Sequence, residues 1–483
     1  MVTWTMHQNA TLARSGEAPS ADLTTAPYQS PEQRRAAGKA LREAVPRRSH
    51  AGWTAPADRA DPIELLIASN HGRLPHLVPI RHGRMLPSAF AFFRGAAAIM
   101  AADLARTPSS GIRVQACGDC HLLNFGGFAT PERRLIFDIN DFDETLPAPF
   151  EWDVKRLAAS FAVAGRQLGL DRDGCAGAAA AVVGAYREQM AQFARMRQLE
   201  IWYHRGDADQ FVAEMQDKRH QKFLRTRIEK ARRRGAYDHD FPRLAENSGS
   251  IPRIKDNPPL IFHSERQRSR EFQEAMSTAL ELYRRSLPDH CRALFERFQL
   301  CDVALKVVGV GSVGTTCAVA LFMAAENDPL FLQFKEARAS VLEPYAGPSA
   351  YPNHGQRVAA GQRLMQSAGD MLLGWTHGDM RGRDFYVRQL RDMKIAPLVH
   401  EMKPLVFRNY GVRCGQVLAQ AHARSGGAPE ISGYLGTKDT FDTAVAQFAL
   451  DYADQTERDY KLFVKAVREG HLQAASEQAG ASA

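Results

Sequence analysis

Apolar residues recur at a helical period through much of the first part of the chain. A spacing of three or four between apolar positions predicts amphipathic helices over residues 88–106 and 153–168, and further helices over about 176–235 and 266–298. The helix over 153–168 is expected to end at Gly169, since glycine commonly follows the last turn of a helix. The first part of the chain is therefore predicted to be mainly helical.

A different pattern begins near residue 299. The stretch DVALKVVGVGSVGTTCAVALFMAAENDPLFLQFKEA is rich in Val, Phe, Leu and Thr and is broken by glycines and by Asp-Pro, which predicts three antiparallel strands. A helix near 355–370, the strand RDFYVRQLRD and C-terminal helices are predicted to follow. Earlier in the chain, FGGFATPERRLIFDINDFDE predicts two short strands around the turn TPER, and residues 240–260 are expected to form a loop.

These patterns predict an α+β protein with five consecutive segments. The segments are a mobile tail at 1–60 with one short helix at PEQRRAAGKALREAV, a helical lobe with a helical insertion at 61–298, a strand-rich lobe at 299–395, helices that complete the helical lobe at 396–470, and a disordered tail at 471–483.

Composition narrows the class of protein. The chain has 483 residues, of which 45% are hydrophobic and 24% charged, as in ordinary globular proteins. No stretch approaches eighteen uninterrupted apolar residues and no apolar leader opens the sequence, so we expect a cytoplasmic protein without a membrane span. Seven scattered cysteines do not suggest a disulfide framework, which fits the same compartment.

The net charge of +8 is compatible with an anionic ligand. The basic segment over 218–234, KRHQKFLRTRIEKARRRG, could contact nucleic acid, but a solvated helix face is the preferred interpretation. Nucleic acid is therefore not an expected partner, and the oligomeric state is left open.

The segment CGDCHLLNFG at 117–126 is compatible with three kinds of chemistry. Its C-x-x-C-H pattern is that of c-type haem attachment, and the same side chains could bind zinc. The missing export signal disfavours haem, and the missing second pair of ligands disfavours structural zinc; Cys117 and Cys120 are then small buried residues. Asp119 and Asn124, in contrast, have the D-x-x-x-x-N spacing of a phosphotransferase catalytic loop.

In that third interpretation Asp119 is the catalytic base or orients the acceptor, and Asn124 binds a metal ion. A second acid, at the end of the next strand, would hold Mg²⁺ against the phosphates, and Asp138, Asp141 and Asp143 are the candidates. Asp138 follows the apolar run LIF, as such a ligand should, whereas Asp141 has the better spacing to a later aspartate, residue 153. An acidic turn that only caps a helix is the alternative.

The glycines of GVGSVG, Gly309, Gly311 and Gly314, fit a phosphate-covering loop. The residues that follow, TTCAVALFMA, are β-branched and apolar, so they predict a strand rather than the helix that a dinucleotide-binding turn must open. A glycine loop between two strands is typical of kinases. An ordinary hairpin with flexible glycines is the alternative.

Lys335 follows within the apolar strand PLFLQFKEA, where an unpaired charge is costly to bury. In a kinase-like site it would pair with nucleotide phosphates and with a helix glutamate, for which Glu343 and Glu336 are candidates. A lysine on the solvent face of an edge strand is the alternative. The glycine loop and Lys335 lie about two hundred residues after Asp119, the reverse of the kinase order. We therefore expect a circular permutation of the two lobes.

Several long motifs also resemble a known family. The motifs are SAFAFFRGAAAIMAADLA, CGDCHLLNFGGFATPERRLIFDINDFDETLPAPFEWDVKRLAAS, VGVGSVGT, LQFKEARASVLEPY and YADQTERDY. They resemble the bacterial family called domain of unknown function 2252 over nearly the whole chain after about residue 60.

That family is grouped with the protein-kinase-like fold, and GDCHLLN is similar to the GDxHxxN motif of aminoglycoside and choline phosphotransferases. The resemblance implies a catalytic base at Asp119 and a metal ligand at Asn124, and it maps the downstream metal-binding aspartate to Asp138 or Asp141. It also matches Asp153 of DVKRLA to the aspartate that starts a helix in those enzymes.

Together these features predict a two-lobed, kinase-like and circularly permuted fold with a largely helical C-lobe and a small antiparallel-sheet N-lobe. The expected activity is phosphoryl transfer from ATP, with Mg²⁺, to an unknown small molecule or protein. Two alternatives on the same fold are the transfer of AMP and a non-catalytic, nucleotide-binding regulatory role.

Overall fold

The computed structural model describes residues 28–207, 212–213, 218–232, 241–248, 251–378, 382–390 and 394–476. Helices dominate on both sides of a central sheet. Their bounds are Pro31–Ala44 (α1), Pro62–Ala68 (α2), Val78–Met85 (α3), Ala89–Gly95 (α4), Ala97–Leu104 (α5), Phe150–Gln167 (α6), Arg172–Phe193 (α7), Gln198–Tyr203 (α8), Lys218–Arg232 (α9), Phe241–Leu244 (α10), Arg270–Ser286 (α11), Asp289–Phe295 (α12), Glu343–Ala346 (α13), His354–Met365 (α14), Pro404–Arg424 (α15), Ala428–Leu435 (α16) and Thr440–Arg468 (α17).

The strands form antiparallel sheets. They are Arg113–Ala116 (β1), Phe125–Ala129 (β2), Leu135–Ile139 (β3), Leu146–Pro149 (β4), Ala245–Ser248 (β5), Ile251–Ile254 (β6), Ile261–Phe262 (β7), Gln299–Lys306 (β8), Cys317–Met323 (β9), Pro329–Ala337 (β10), Gly374–His377 (β11) and Asp384–Gln389 (β12). The largest sheet has the order β11-β12-β10-β9-β8-β7, and β1 pairs with β4, β2 with β3 and β5 with β6. The expectation of an α+β protein with small antiparallel sheets is confirmed.

Helix α6 is the centre of the helical part. Every residue from Phe150 to Gly165 is buried, because α6 packs against α7 and α17 and also contacts α4 and α15. The predicted stop is confirmed, since the helix ends one residue before Leu168 and Gly169 adopts a positive φ of 79°. A helix buried on all sides can still carry charged residues where each finds a partner, and α6 carries several that act at the site described below.

The strand-rich segment folds as its apolar pattern predicts. Strands β8, β9 and β10 are consecutive antiparallel neighbours, and all nine residues of β10 are buried. The glycine-rich segment between β8 and β9 is a loop followed by a strand, so the prediction of a strand rather than a helix after GVGSVG is confirmed. Helix α14 follows β10 and contacts β10, β11 and β12, which brings one face of the sheet close to the helical part.

The N-terminal prediction needs a correction. Residues 28–60 are not a mobile tail: α1 packs against α16, and Arg34 forms an ion pair of 2.7 Å with Glu430. The close approach has a visible cause, because Gly38 lies against the backbone of Glu430, where a side chain would collide. Residues 1–27, also assigned to the tail, lie outside the described residues.

Three further predictions differ in detail from the observed fold. The helix expected over 88–106 is divided at Ala96 into α4 and α5, and residues 240–260 include the paired strands β5 and β6 rather than loop alone. Leu472 is buried, so the start of the predicted tail at 471–483 is packed; 477–483 lie outside the described residues. No helix in the described part of the chain is both long and apolar enough to cross a bilayer.

Candidate active site

The loop after β1 is fixed by the first turn of α6. The Asp153 carboxylate accepts hydrogen bonds from the backbone N–H groups of Cys117 (2.7 Å) and Gly118 (3.0 Å). His422 of α15 lies 3.1 Å from the same carboxylate. Gly118 has a φ of 82°, and a Cβ there would lie 2.4 Å from the Glu144 carbonyl oxygen. The sequence CGDC therefore folds as a tight turn whose backbone is held by a buried acid.

Asp119 and Asn124 lie at the exit of this turn and line one pocket. Asn124 donates from Nδ2 to the backbone oxygen of Asp119 at 2.8 Å, which leaves its Oδ1 as the amide atom available to a ligand. The Asp119 carboxylate accepts a hydrogen bond of 2.7 Å from Arg156 Nε. Arg156 itself is buried and lies over the Phe93 ring at 4.4 Å. The predicted catalytic pair is thus preorganised by groups on α4 and α6.

Three acids after β3 line the same pocket, namely Asp141, Asp143 and Glu144. Burial raises the pKa of Asp141, and the neighbouring Asp143 carboxylate adds to this effect. Burial would also raise the pKa of Asp143, but Lys335 and hydrogen bonds outweigh it and lower that pKa to about 2. Burial raises the pKa of Glu144 to about 7. Two neighbouring acids therefore have opposite protonation tendencies in one pocket.

Lys335 of β10 reaches these acids from the sheet. Its Nζ forms an ion pair with the Asp143 carboxylate, which also accepts hydrogen bonds from Tyr386 (2.7 Å) and Ser312 (3.1 Å). Burial alone would lower the pKa of Lys335, but the charges of Asp141 and Asp143 raise it well above its usual value. The lysine is therefore not on the solvent face of an edge strand: it is buried, on a strand flanked by β9 and β12.

The glycine-rich loop forms another wall of this pocket. Gly309 and Gly311 line it, and Gly309 and Gly314 have positive φ values of 67° and 90° that favour glycine. Gly314 does not line the pocket directly: it lies against the side chain of Arg73, which donates to the Val313 carbonyl oxygen at 2.6 Å. The loop is thus attached to the segment between α2 and α3.

Asp138 lies apart from this group. Its carboxylate is buried and accepts hydrogen bonds from the backbone N–H (2.9 Å) and hydroxyl (2.8 Å) of Ser367. Burial raises its pKa. Asp138 faces away because it pairs with Gly126 across β2 and β3, while Asp141 and Asp143 lie beyond the end of β3. Of the three candidate metal ligands, the structure brings Asp141 and Asp143 together with Asn124 and leaves Asp138 out.

The expected glutamate partner of Lys335 needs a correction as well. Glu343 accepts a hydrogen bond of 3.1 Å from the backbone N–H of Ser340. Glu336 lines the pocket, but its carboxylate accepts a hydrogen bond from the Thr316 backbone N–H at 2.7 Å and pairs with Arg383 at 3.1 Å rather than with Lys335. The place of a helix acid is taken by Asp143.

Helix α14 contributes an arginine instead of an acid. Arg357 is buried and donates to the backbone oxygens of Thr145 (2.6 Å) and Asp143 (2.7 Å). The helix that follows the lysine strand thus holds the main chain of the acidic turn.

Four pocket-lining arginines did not figure among the predicted site residues: Arg73, Arg81, Arg94 and Arg338. They come from the α2–α4 segment and from the end of β10; Arg94 and Arg338 lie within the family motifs SAFAFFRGAAAIMAADLA and LQFKEARASVLEPY, but neither was assigned a role there. The sequence contains one indication of a buried charge among them: Arg94 interrupts the apolar run AFAFFRGAAA in the same way that Lys335 interrupts its strand. Arg156, inside the buried helix α6, gives the same kind of signal.

The alternative chemistry of CGDCH can be compared with the same geometry. Cys117, Cys120 and Asp153 are the one group of three buried metal-binding side chains close together in the described part of the chain. Burial raises the pKa of both thiols, and both Asp153 oxygens already accept backbone hydrogen bonds. Burial also lowers the pKa of His121 to about 3. The side chains of this segment, together with Asp153, therefore have the burial and the hydrogen bonds of groups packed within a turn.

Comparison with known proteins gives one match. A family model described as an uncharacterised protein conserved in bacteria (DUF2252) matches residues 73–466. No curated protein and no solved structure matches the chain.

Proposed function

Since the chain belongs to the DUF2252 family of bacterial proteins, we propose that this family member binds ATP and Mg²⁺ in the pocket lined by the turn after β1, the acids after β3 and the glycine loop. The proposed reaction is the transfer of a phosphoryl group to a small molecule or a protein. The family description itself names no activity, so the proposal depends on the geometry of the pocket.

One observation carries the proposal: residues of two distant motifs meet in one pocket. Asp119, Asn124, Asp141 and Asp143 come from the first third of the chain, and the glycine loop comes from the second half. The ion pair between Lys335 and Asp143 joins positions 192 residues apart. Kinase-type sites need a glycine loop between the first two strands of a meander, a lysine on the third and acids opposite, and the reversed chain order does not prevent this arrangement.

The side chains also fit the required cation. Asn124 Oδ1 and the carboxylates of Asp141 and Asp143 are hard oxygen donors of the kind that Mg²⁺ prefers. When bound, Mg²⁺ would neutralise charge on the phosphate oxygens. The pKa of Asp143 is lowered to about 2, whereas burial raises the pKa of Asp141. A bound cation would favour the ionised form of both carboxylates.

The remaining roles follow from position. The backbone of Gly309 and Gly311 would cover the phosphates, and Lys335 would exchange its contact with Asp143 for one with a phosphate oxygen. Asp119 would orient the acceptor hydroxyl. In the transfer, the acceptor oxygen forms a bond to the γ-phosphorus, the bond to the bridging oxygen breaks, and Asp119 takes the acceptor's proton.

A non-catalytic nucleotide-binding role is the second candidate, and one contact favours it. The buried guanidinium of Arg156 contacts the Asp119 carboxylate at Oδ1, so that oxygen is already occupied and is not free to take a proton from an acceptor hydroxyl. If this ion pair persists with ligands bound, the pocket binds ATP without turnover. Transfer of AMP on the same fold differs in product, because the α-phosphate rather than the γ-phosphate is then retained on the acceptor.

The test is thermal unfolding of the full chain with and without Mg-ATP. Ligand at a hundred times its Kd adds about 2.7 kcal/mol to the unfolding free energy, so the wild type is expected to show a clear rise in Tm. Asp141→Asn and Lys335→Met should lose that rise. Each variant is compared with its own unliganded Tm, and Lys222→Met, which removes an exposed lysine, is the matched control and should keep the rise.

Labelled nucleotide separates the remaining alternatives. Incubation with a cell extract and ATP labelled at the γ- or the α-phosphate should mark the acceptor with the γ-label alone. Retention of the α-label would replace phosphoryl transfer with AMP transfer, and binding without label transfer would favour the regulatory role. No rise in the wild-type Tm at millimolar Mg-ATP would refute the nucleotide proposal altogether.

A further inference from the structure

The pocket has a basic side opposite its acids, which we call the arginine wall: Arg73, Arg81, Arg94 and Arg338. The wall belongs neither to the catalytic loop nor to the glycine loop. Three of its members come from residues 73–94, a segment joined to the glycine loop by hydrogen bonds from Arg73 to the Val313 carbonyl oxygen and from the Leu74 N–H to that of Gly314. Any role of the wall must therefore be argued from its own contacts.

None of the four arginines forms an ion pair with a carboxylate of the described residues. Arg73 donates to backbone oxygens of Ser69 and Val313, and Arg338 donates to that of His71. Arg81 is 2% exposed and donates to the Gly95 carbonyl oxygen at 2.8 Å. These neutral acceptors hold the guanidinium groups in place without cancelling their charge.

Two donors of the wall have no partner. The Nε atoms of Arg81 and Arg94 are buried and form no hydrogen bond among the described residues. Arg94 donates to no protein acceptor in that part of the chain, although it lies close enough to Asp119 and Asp141 to feel their charge. A buried unmatched donor is unfavourable by about 1–3 kcal/mol and more when it is charged, so two such donors lining one pocket call for an acceptor there.

The arginines also repel one another. Burial lowers the pKa of Arg73 to about 10, and the charge of Arg338 adds to the effect. Burial, then Arg73 and Arg338, lowers the pKa of Arg81. The acids of the pocket offset part of this repulsion, but none of them forms an ion pair with the four arginines among the described residues. A multivalent anion would relieve the remaining repulsion, and guanidinium groups match phosphoryl oxygens in geometry as well as charge.

We propose that the arginine wall is a binding subsite for a phosphoryl group, with Arg94 as its central contact and Arg73, Arg81 and Arg338 around it. The subsite is separate from the metal-binding acids and from Lys335. Because the subsite lies beside Asp119, it adds a phosphoryl-binding group to the proposed function. Only the identity of the ligand depends on that proposed function. The phosphoryl group belongs either to the nucleotide or to a phosphorylated acceptor.

Direct binding of pyrophosphate, measured by calorimetry with EDTA present, tests the subsite without nucleotide or metal. The wild type is expected to bind, and Arg94→Gln should weaken the affinity by about tenfold or more, since a charged hydrogen-bonded contact is lost. Arg338→Gln is a second variant with the same expected direction. Arg270→Gln removes an arginine that is 90% exposed and serves as the matched control, with unchanged affinity.

Asp141→Asn distinguishes this proposal from the proposed function. It should abolish the effect of Mg-ATP while leaving pyrophosphate affinity equal or higher, because it removes a negative charge. If Mg-ATP never binds but pyrophosphate binds in an Arg94-dependent manner, the subsite stands and the nucleotide proposal fails.

Competition identifies the source of the phosphoryl group. Loss of pyrophosphate binding in saturating Mg-ATP assigns the wall to the nucleotide, and retained binding assigns it to a phosphorylated acceptor. The proposal is overturned if wild-type protein binds neither phosphate nor pyrophosphate at millimolar concentration, or if Arg94→Gln binds pyrophosphate as tightly as the wild type.

Discussion

Buried arginines occur in two contrasting settings in this protein. Arg59 forms ion pairs with Asp103 (2.8 Å) and Asp459 (2.6 Å), and its side chain is 9% exposed. The two acids are themselves matched, by hydrogen bonds from Tyr452 and Gln455 of α17. In the arginine wall, by contrast, four guanidinium groups line a pocket, and none of the four forms an ion pair with a carboxylate among the described residues.

The difference separates structural charge from functional charge. The Arg59 cluster joins the segment before α2 to α5 and α17, and every charge in it is compensated within the chain. Its removal leaves two buried acids, whereas removal of Arg94 leaves no unpaired protein group. Compensation within the chain is therefore the property that distinguishes a structural ion pair from a site that awaits a ligand.

The largest expected effect is the loss of the structural cluster. Arg59→Met should reduce the unfolding free energy by about 3–5 kcal/mol, because Asp103 and Asp459 are left buried without a cation. Urea-induced unfolding, followed by circular dichroism, measures it. The unfolding free energy of Arg59→Lys should lie between those of the wild type and Arg59→Met, since lysine keeps the charge but not the bidentate geometry. A urea midpoint for Arg59→Met equal to that of the wild type would show that the Arg59 cluster does not stabilise the fold. The contrast between this cluster and the arginine wall would then fail.

A smaller, pH-dependent effect is expected at Glu144. Burial raises its pKa from 4.5 to about 7, so the folded state binds this proton more tightly than the unfolded state. Its contribution to stability is complete below pH 4.5 and is lost as the pH rises through about 7. The advantage of Glu144→Gln over the wild type should therefore grow by roughly 1–3 kcal/mol between pH 5 and pH 8.

The Tm of both proteins across this pH range provides the measurement. Glu326→Gln, which removes an exposed glutamate from the turn between β9 and β10, is the matched control for the loss of charge. A Glu144→Gln advantage that stays constant with pH would show that the acid is not held in its neutral form by the pocket.

The smallest expected effect is at the arginine wall without ligand. Arg94→Met should change the unfolding free energy by less than about 1 kcal/mol, and in the stabilising direction, because it removes a partly buried charge that forms no ion pair or hydrogen bond among the described residues. The comparison uses the same urea experiment as for Arg59→Met. A loss as large as that of Arg59→Met would make Arg94 a structural residue and would count against a ligand subsite.

Local sequence patterns were sufficient for much of the fold. The β-branched run after GVGSVG predicted strand β9, and Gly169 marked the end of α6. Each of these depends on neighbours in the sequence. The break at Ala96 was not predictable in this way, because Gly95 there packs against Met85, where a Cβ would lie 2.6 Å from the sulfur.

The pocket illustrates the same limit. Motif spacing identified Asp119, Asn124 and the glycine loop as candidates, and the structure places them in one pocket. It could not separate Asp138 from Asp141, since the partner of Asp138, Ser367, is 229 residues away. The arginine wall has no characteristic spacing at all, and only its position inside an apolar run distinguishes Arg94 from the many exposed arginines.

The reversed order of the motifs has a consequence for how the chain acquires its structure during synthesis. At roughly 5–20 residues per second, Lys335 emerges from the ribosome some 10–40 seconds after Asp143, its partner 192 residues earlier. Helix α6, which is buried on all sides in the finished protein, must also wait for α17. The nascent chain therefore exposes an apolar helix, and an acidic turn without its lysine, until these later segments are made.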